Sequence, residues 1–166
     1  NDPHILALVH GGDYIGSGKS WSQWDAWMTH HVQTTSPSGR VLPIIAARGN
    51  HDRGDMFNQI FASPGKGENT NYYVTQLGQK VALVTLNTET STAGNQKQWL
   101  DAQLKTLRPA NRWLLAQYHK PAWPAVKKPS SALRDFVPLF EKYNVDLVCE
   151  ADGHNIKRTP PIRNGK

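Results

Sequence analysis

The sequence has one cysteine, Cys149, among 166 residues. An intrachain disulfide is therefore excluded, and with it any small fold stapled by disulfides. Cys149 lies in the apolar run "VDLVCEA", which predicts an inert core thiol. Long hydrophobic runs are also missing. Hydrophobic residues make up 38% of the chain, low for a domain of this size, and no stretch is long enough to span a bilayer. There is no internal repeat and no low-complexity tract. A basic stripe is absent as well. The formal charge of +6 favours anionic ligands, but Lys and Arg are scattered apart from "VKKP", Val126 to Pro129. Without interleaved aromatics this disfavours nucleic acid as the main partner. The chain opens "NDPH", with neither methionine nor signal peptide, so a processed or trimmed N-terminus is expected.

Thirteen glycines and eleven prolines, by contrast, mark many loops between well-separated apolar runs. The length suits a single domain, residues 1–166, with its own core. His4–Val9 reads as a short strand, and Ser20–Val32 as a helix with Trp24, Trp27, Met28 and His31 on one face. Val41–Ala47 is a strand with Pro43 at its start or edge, and Met56–Ala62 a short helix. "NYYVTQL" and "QKVALVTLN" form a hairpin around Gly78. Asn95–Leu107 carries Trp99, Leu100, Leu104 and Leu107 at helical spacing. "RWLLAQYH" is a strand ending at His119, "SALRDFVPLFEKY" a helix interrupted near Pro138, and "VDLVCEA" a last strand. This alternation predicts an α/β fold, and the hairpin predicts mixed rather than purely parallel sheets.

The polar residues collect at the strand ends. Asp13 follows the first strand, Asn50 and His51 the second, His119 ends a third, and Asp152 and His154 follow the last. Ligands of α/β sheets gather beyond the carboxyl ends of strands. Asp, Asn and His mix hard oxygen with borderline nitrogen donors, a set suited to Mn, Fe, Zn or Mg. A bridging carboxylate can hold two ions for in-line attack on phosphorus, and a histidine that is not a ligand can protonate the leaving oxygen.

The blocks "GGDYIGSG", "RGNHDR", "QYHKPAW" and "VDLVCEADGHNIKRTPPI" resemble, in order, those of the calcineurin-like metallophosphoesterases, with a purple-acid-phosphatase-like branch nearest in pattern. The resemblance implies a sandwich of two mixed β-sheets flanked by helices, with a two-metal site at the strand ends. It implies Asp13 as the bridging carboxylate and Asn50 and His119 as ligands of the second metal. His51 matches the catalytic histidine, and Asp52 the acid that orients its loop or tunes its ring. Asp152 and His154 fall in the final metal-ligand block. Arg158 matches an arginine of that block without an assigned role. The resemblance alone implies an extracytoplasmic setting, secreted or periplasmic.

Three departures qualify the pattern. Twelve residues precede Asp13, and they align with the strand just before it, so the opening ligand strand is missing and truncation at the N-terminus is expected. Gly16 stands where the purple enzymes carry a tyrosine ligand, and Tyr14 lies too close to Asp13 to replace it simply. Asp152 stands where the last block usually has its first histidine. The expected activity is metal-dependent hydrolysis of a small phosphorylated substrate, as a monoester or diester, with His51 assisting. The alternative is an impaired relative that binds a phosphorylated or anionic ligand. At most one tightly bound ion is expected, held by Asp13, Asn50, His119 and Asp152, with His154 left to contact substrate or a weak second ion. Loops such as Pro124–Ser131 would select the substrate.

Overall fold

The computed structural model describes residues 5–62 and 68–164. His4, where the first strand was expected to begin, lies outside them, and the described strand is β1, Leu8–His10. It pairs in parallel with β2, Ile44–Ala46, from Leu8 opposite Ile44 to His10 opposite Ala46. Pro43 falls just ahead of β2, where it needs no N–H, and its carbonyl accepts from Leu8 N at 2.8 Å.

Helix α1, Trp21–His31, buries Trp24 and His31. Together with Tyr14, Phe57, Phe61 and Trp27 they build an aromatic core beside β1 and β2. Met28, expected on the same face, is 41% exposed. It lines an open cavity of about 330 Å³ between α1 and the six-residue helix α2, Met56–Phe61. A helix that short does not reach far enough to cover it.

The larger sheet has the order β3-β4-β5-β6, formed by Tyr73–Leu77, Val81–Thr85, Trp113–Tyr118 and Leu147–Glu150. Its first pair is the expected antiparallel hairpin, turning on Gly78 at φ +66°, and the other two pairs are parallel. Alternation sorts the residues of β5. Leu114, Ala116 and Tyr118 join Leu100 and Leu104 of α3, Asn95–Ala110, and Phe140 of α5, Val137–Lys142, in one core. Gln117 points the other way and donates to the Ile45 carbonyl at 3.0 Å, while the Tyr73 hydroxyl donates to the Ala46 carbonyl at 2.8 Å. The two sheets therefore lie against each other with helices outside, which is the expected α/β sandwich. Its mixed pairing belongs to the four-stranded sheet. The predicted interruption near Pro138 separates α4, Ala132–Asp135, from α5, and Pro138 sits in the first turn of α5 where its missing N–H costs nothing.

Cys149 corrects the expectation of a core thiol: it is exposed. The reason is that β6 is an edge strand with one face open. Leu147, 54% exposed, and Cys149 share that face and line a cavity of about 300 Å³ with Pro121, Pro124 and Lys157. Its surroundings still desolvate the thiol enough to push it up from the ordinary range, which disfavours the reactive thiolate.

Asp135 ties α4 to the loop ahead of α3. It accepts from Thr92 Oγ1 at 2.6 Å and from Arg134 at 2.7 Å, and Lys97 Nζ stands 3.6 Å away. Arg134 above all holds this carboxyl down at about 2. A depressed carboxyl contributes stability above its unfolded value, about 3.9, and loses it as pH falls through the folded value. Asp135→Asn should therefore melt a few degrees below wild type at pH 6, with the gap closing between about pH 4 and pH 2. Thermal melts of both proteins across that range check this; a gap independent of pH would assign the cost to shape rather than charge.

Candidate metal centre

The loops after β1 and β2 meet at closest range through glycine. A Cβ on Gly12, which has φ +97°, would fall 2.5 Å from Gly49 N, and one on Gly49 would fall 2.3 Å from both Asp13 N and Asp13 Oδ1. A side chain at Gly12 would push away the Arg48–Gly49 backbone, and one at Gly49 would displace Asp13 itself. Beneath this junction Asp52 is fully buried and accepts from the backbone amides of Gly49 at 2.8 Å, Asp13 at 2.8 Å and Tyr14 at 3.0 Å. Burial pushes its carboxyl up, and the three amide bonds pull against that. Of the two roles expected for Asp52, the geometry supports the loop-orienting one. The His51 ring bonds elsewhere, with Nδ1 2.9 Å from the Gly16 carbonyl. Arg48, also buried, braces the same loop through Asn71 and the Gly54 carbonyl, 3.0 Å each.

Asp13 sits at φ +58° and Asp152 at φ +59°, a left-handed conformation that Asp tolerates better than most residues and that recurs at functional sites. Asp13 Oδ1 accepts the backbone N–H of His51 at 2.9 Å, which leaves Oδ2 turned to His119. His119 is buried, and its Nδ1 lies 2.8 Å from the Gly11 carbonyl. A carbonyl only accepts, so Nδ1 carries the hydrogen and Nε2 faces inward. Around Nε2 stand Asp13 Oδ2 at 3.1 Å, Asn50 Oδ1 at 3.1 Å and Asp152 Oδ1 at 3.6 Å.

Three acceptor oxygens about one ring nitrogen make a cradle for a cation. Two ligands each about 2.1 Å from one ion stand about 3.0–3.4 Å apart for right-angled to tetrahedral arrangements, close to these separations. Asp13, His119 and Asp152 each offer a ligand atom, all within 4.8 Å of one another. The donor set thus fits a divalent ion, and the Nδ1–H bond to Gly11 is the outer support such a histidine normally has. Asp152 has a further partner: Lys127 Nζ lies 2.7 Å from its Oδ1. Burial acts to raise the Asp152 carboxyl, but the hydrogen bond from Lys127, aided by the neighbouring His119 ring, outweighs it and holds the carboxyl below its ordinary range.

Four of the expected residues, Asp13, Asn50, His119 and Asp152, come together. His51 joins them through its backbone amide. His154 does not: it is exposed, at φ +49°, and lies outside the group of ligand atoms. Tyr14 is buried in the aromatic core, stacked on His10 at 4.0 Å, with its hydroxyl 3.4 Å from the His10 carbonyl. Burial pushes that hydroxyl far above its ordinary range, so Tyr14 does not stand in for the tyrosine that Gly16 lacks. Two residues near the cluster escaped the sequence reading. His10 Nδ1 accepts from Gly12 N at 3.3 Å, and burial lowers the pKa of its ring. Lys127 was visible only as half of a charged pair in "VKKP".

Among the described residues no helix is long and apolar enough to cross a membrane. Among solved structures, the fold is similar to that of GAP50, the anchor in the inner membrane complex of Plasmodium, with a TM-score of 0.54 and 14% identity over 87% of this chain and 51% of that one. In sequence, the chain is 24% identical over 176 aligned positions to an uncharacterized protein of Mycobacterium tuberculosis, found in two strains. That match covers 87% of this chain but 32% of the relative, so the chain spans about a third of the length of the curated relatives it matches. The sequence model of the calcineurin-like phosphoesterases matches residues 1–155. The chain belongs to the calcineurin-like phosphoesterase family.

Proposed function

We propose that this chain hydrolyses phosphoesters of small substrates with a single divalent ion held by Asp13, Asn50, His119 and Asp152. The observation that carries the reading is the convergence of three side-chain oxygens on His119 Nε2 within 3.6 Å. Three oxygens to one nitrogen favour the harder ions Mn²⁺ or Mg²⁺ over Zn²⁺. Bound there, a divalent ion supplies Lewis acidity to a phosphoryl oxygen and to water. The chain's own groups do the rest. Asp52 is a positioning residue: its three amide bonds hold Asp13 and the His51 loop in one register. His51 donates Nδ1–H to Gly16, which orients the ring and reserves Nε2 for the proton that the leaving oxygen takes up. The extracytoplasmic setting rests on the family resemblance.

One observation favours a second reading, an anion-binding relative without turnover. His154, the remaining candidate ligand of the last block, stands apart from the cluster, which leaves a second metal position with few protein ligands. One experiment separates the two. Mn²⁺ titration with metal analysis is paired with hydrolysis of an aryl phosphate and a bis-aryl phosphate. About one tightly bound ion per chain with turnover supports the first reading, and one ion with phosphate binding but no turnover supports the second. No bound metal, or two tightly bound ions, overturns the proposed centre.

A further inference from the structure

Three of the lysines that follow β5 and β6 in the chain are committed differently. Lys120 Nζ pairs with Glu89 at 2.7 Å, and Lys157 pairs with the half-buried Glu150. Lys127 pairs with Asp152, a member of the cluster itself, and through the oxygen Oδ1 that faces His119. One carboxylate oxygen is therefore claimed by the ammonium and by the candidate metal position together. Two cations sharing an oxygen stand within a few ångströms and repel, so an ion that takes Asp152 Oδ1 must loosen Lys127.

The segment carrying Lys127 is built to let the side chain move while its base stays fixed. Ser130 N donates to the Pro121 carbonyl at 2.9 Å, Ser130 Oγ to the Lys120 carbonyl at 2.9 Å, and Lys120 N to Thr88 Oγ1 at 2.8 Å. These bonds close residues 121–130 at the foot. Lys127 stands at the tip with its side chain 45% exposed, on a flexible four-carbon stem. Displaced from Asp152, its ammonium remains beside the centre, where an incoming phosphate brings negative charge.

We propose that Lys127 is a resident counter-cation of the metal centre, holding Asp152 until a divalent ion takes it and then turning to the oxygens of the bound phosphate. The proposal rests on the reading of Asp13, Asn50, His119 and Asp152 as that centre. It makes Lys127 a substrate-binding residue whose availability depends on metal loading.

The test uses calorimetry on the whole chain at low ionic strength, with MnCl₂ first and inorganic phosphate into the Mn²⁺-loaded protein second. Wild type is compared with Lys127→Met and with Lys128→Met, which removes the same charge one residue along. Lys127→Met is expected to bind Mn²⁺ about twofold to fivefold more tightly, the upper range of a partly exposed ion pair, and phosphate about twofold to fivefold more weakly. Lys128→Met should move either value less than about twofold. Unchanged or weaker Mn²⁺ binding by Lys127→Met, unchanged phosphate binding, or equal shifts in Lys128→Met would each overturn the proposal while leaving the metal centre standing. If neither wild type nor Lys127→Met binds Mn²⁺, the centre itself fails and the proposal goes with it. Mn²⁺ binding by Lys127→Met alone would support both.

Discussion

Replacing His51 with alanine is expected to cut phosphoester turnover about 10²–10⁴-fold while leaving the bound ion in place, the usual size of general acid–base assistance. The split follows from what His51 contributes to each function. Its backbone N–H bonds Asp13 Oδ1 at 2.9 Å, and alanine keeps that bond. Its ring bonds the Gly16 carbonyl at 2.9 Å and is otherwise exposed, so removing it opens no core cavity. Metal affinity and melting temperature should therefore stay near wild type while kcat falls. His51→Gln would keep a donor toward Gly16 but offers no group that titrates near neutrality, so it should remain impaired. Loss of metal in step with activity would show that the ring is a ligand. Restored activity in His51→Gln would show that it only positions.

Much of this arrangement was legible from local chemistry. Strands followed by Asp13, by Asn50 with His51, by His119 and by Asp152 announced a site at strand ends, because only backbone direction and alternation are needed to infer it. The break before Pro138 and the hairpin at Gly78 were legible for the same reason: both depend on backbone freedom at one residue. What failed depended on neighbours distant in sequence. Cys149 lies in an apolar run, yet it is exposed because β6 is an edge strand with one face uncovered. Met28 has the helical spacing of Trp24, but the facing helix is too short to cover it. Lys127 reaches Asp152 across 25 positions, a pairing that only folding creates.

Asp13→Asn is the cleanest test of the metal centre, because it should remove the ion without disturbing the fold. Asparagine tolerates φ +58° at least as well as aspartate. Its carbonyl oxygen can keep the 2.9 Å bond from the His51 amide, and its new amide group can donate to His119 Nε2, 3.1 Å from the present Oδ2. The backbone amide of residue 13 still reaches Asp52. In metal-free buffer the variant should therefore melt at or slightly above wild type, since one of two facing carboxylates is neutralised. Mn²⁺ affinity should fall by more than about 100-fold, because loss of an outer-shell partner alone typically costs about 10–100-fold and Asp13 would be a direct ligand. The two effects combine in a single readout. An ion at about 100 times its Kd stabilises the folded chain by about 2.7 kcal/mol. Wild type should then melt several degrees higher with Mn²⁺ than without it, and Asp13→Asn should show no such rise. A variant that gains as much from Mn²⁺ as wild type would place the ion away from Asp13 and remove the basis for the site.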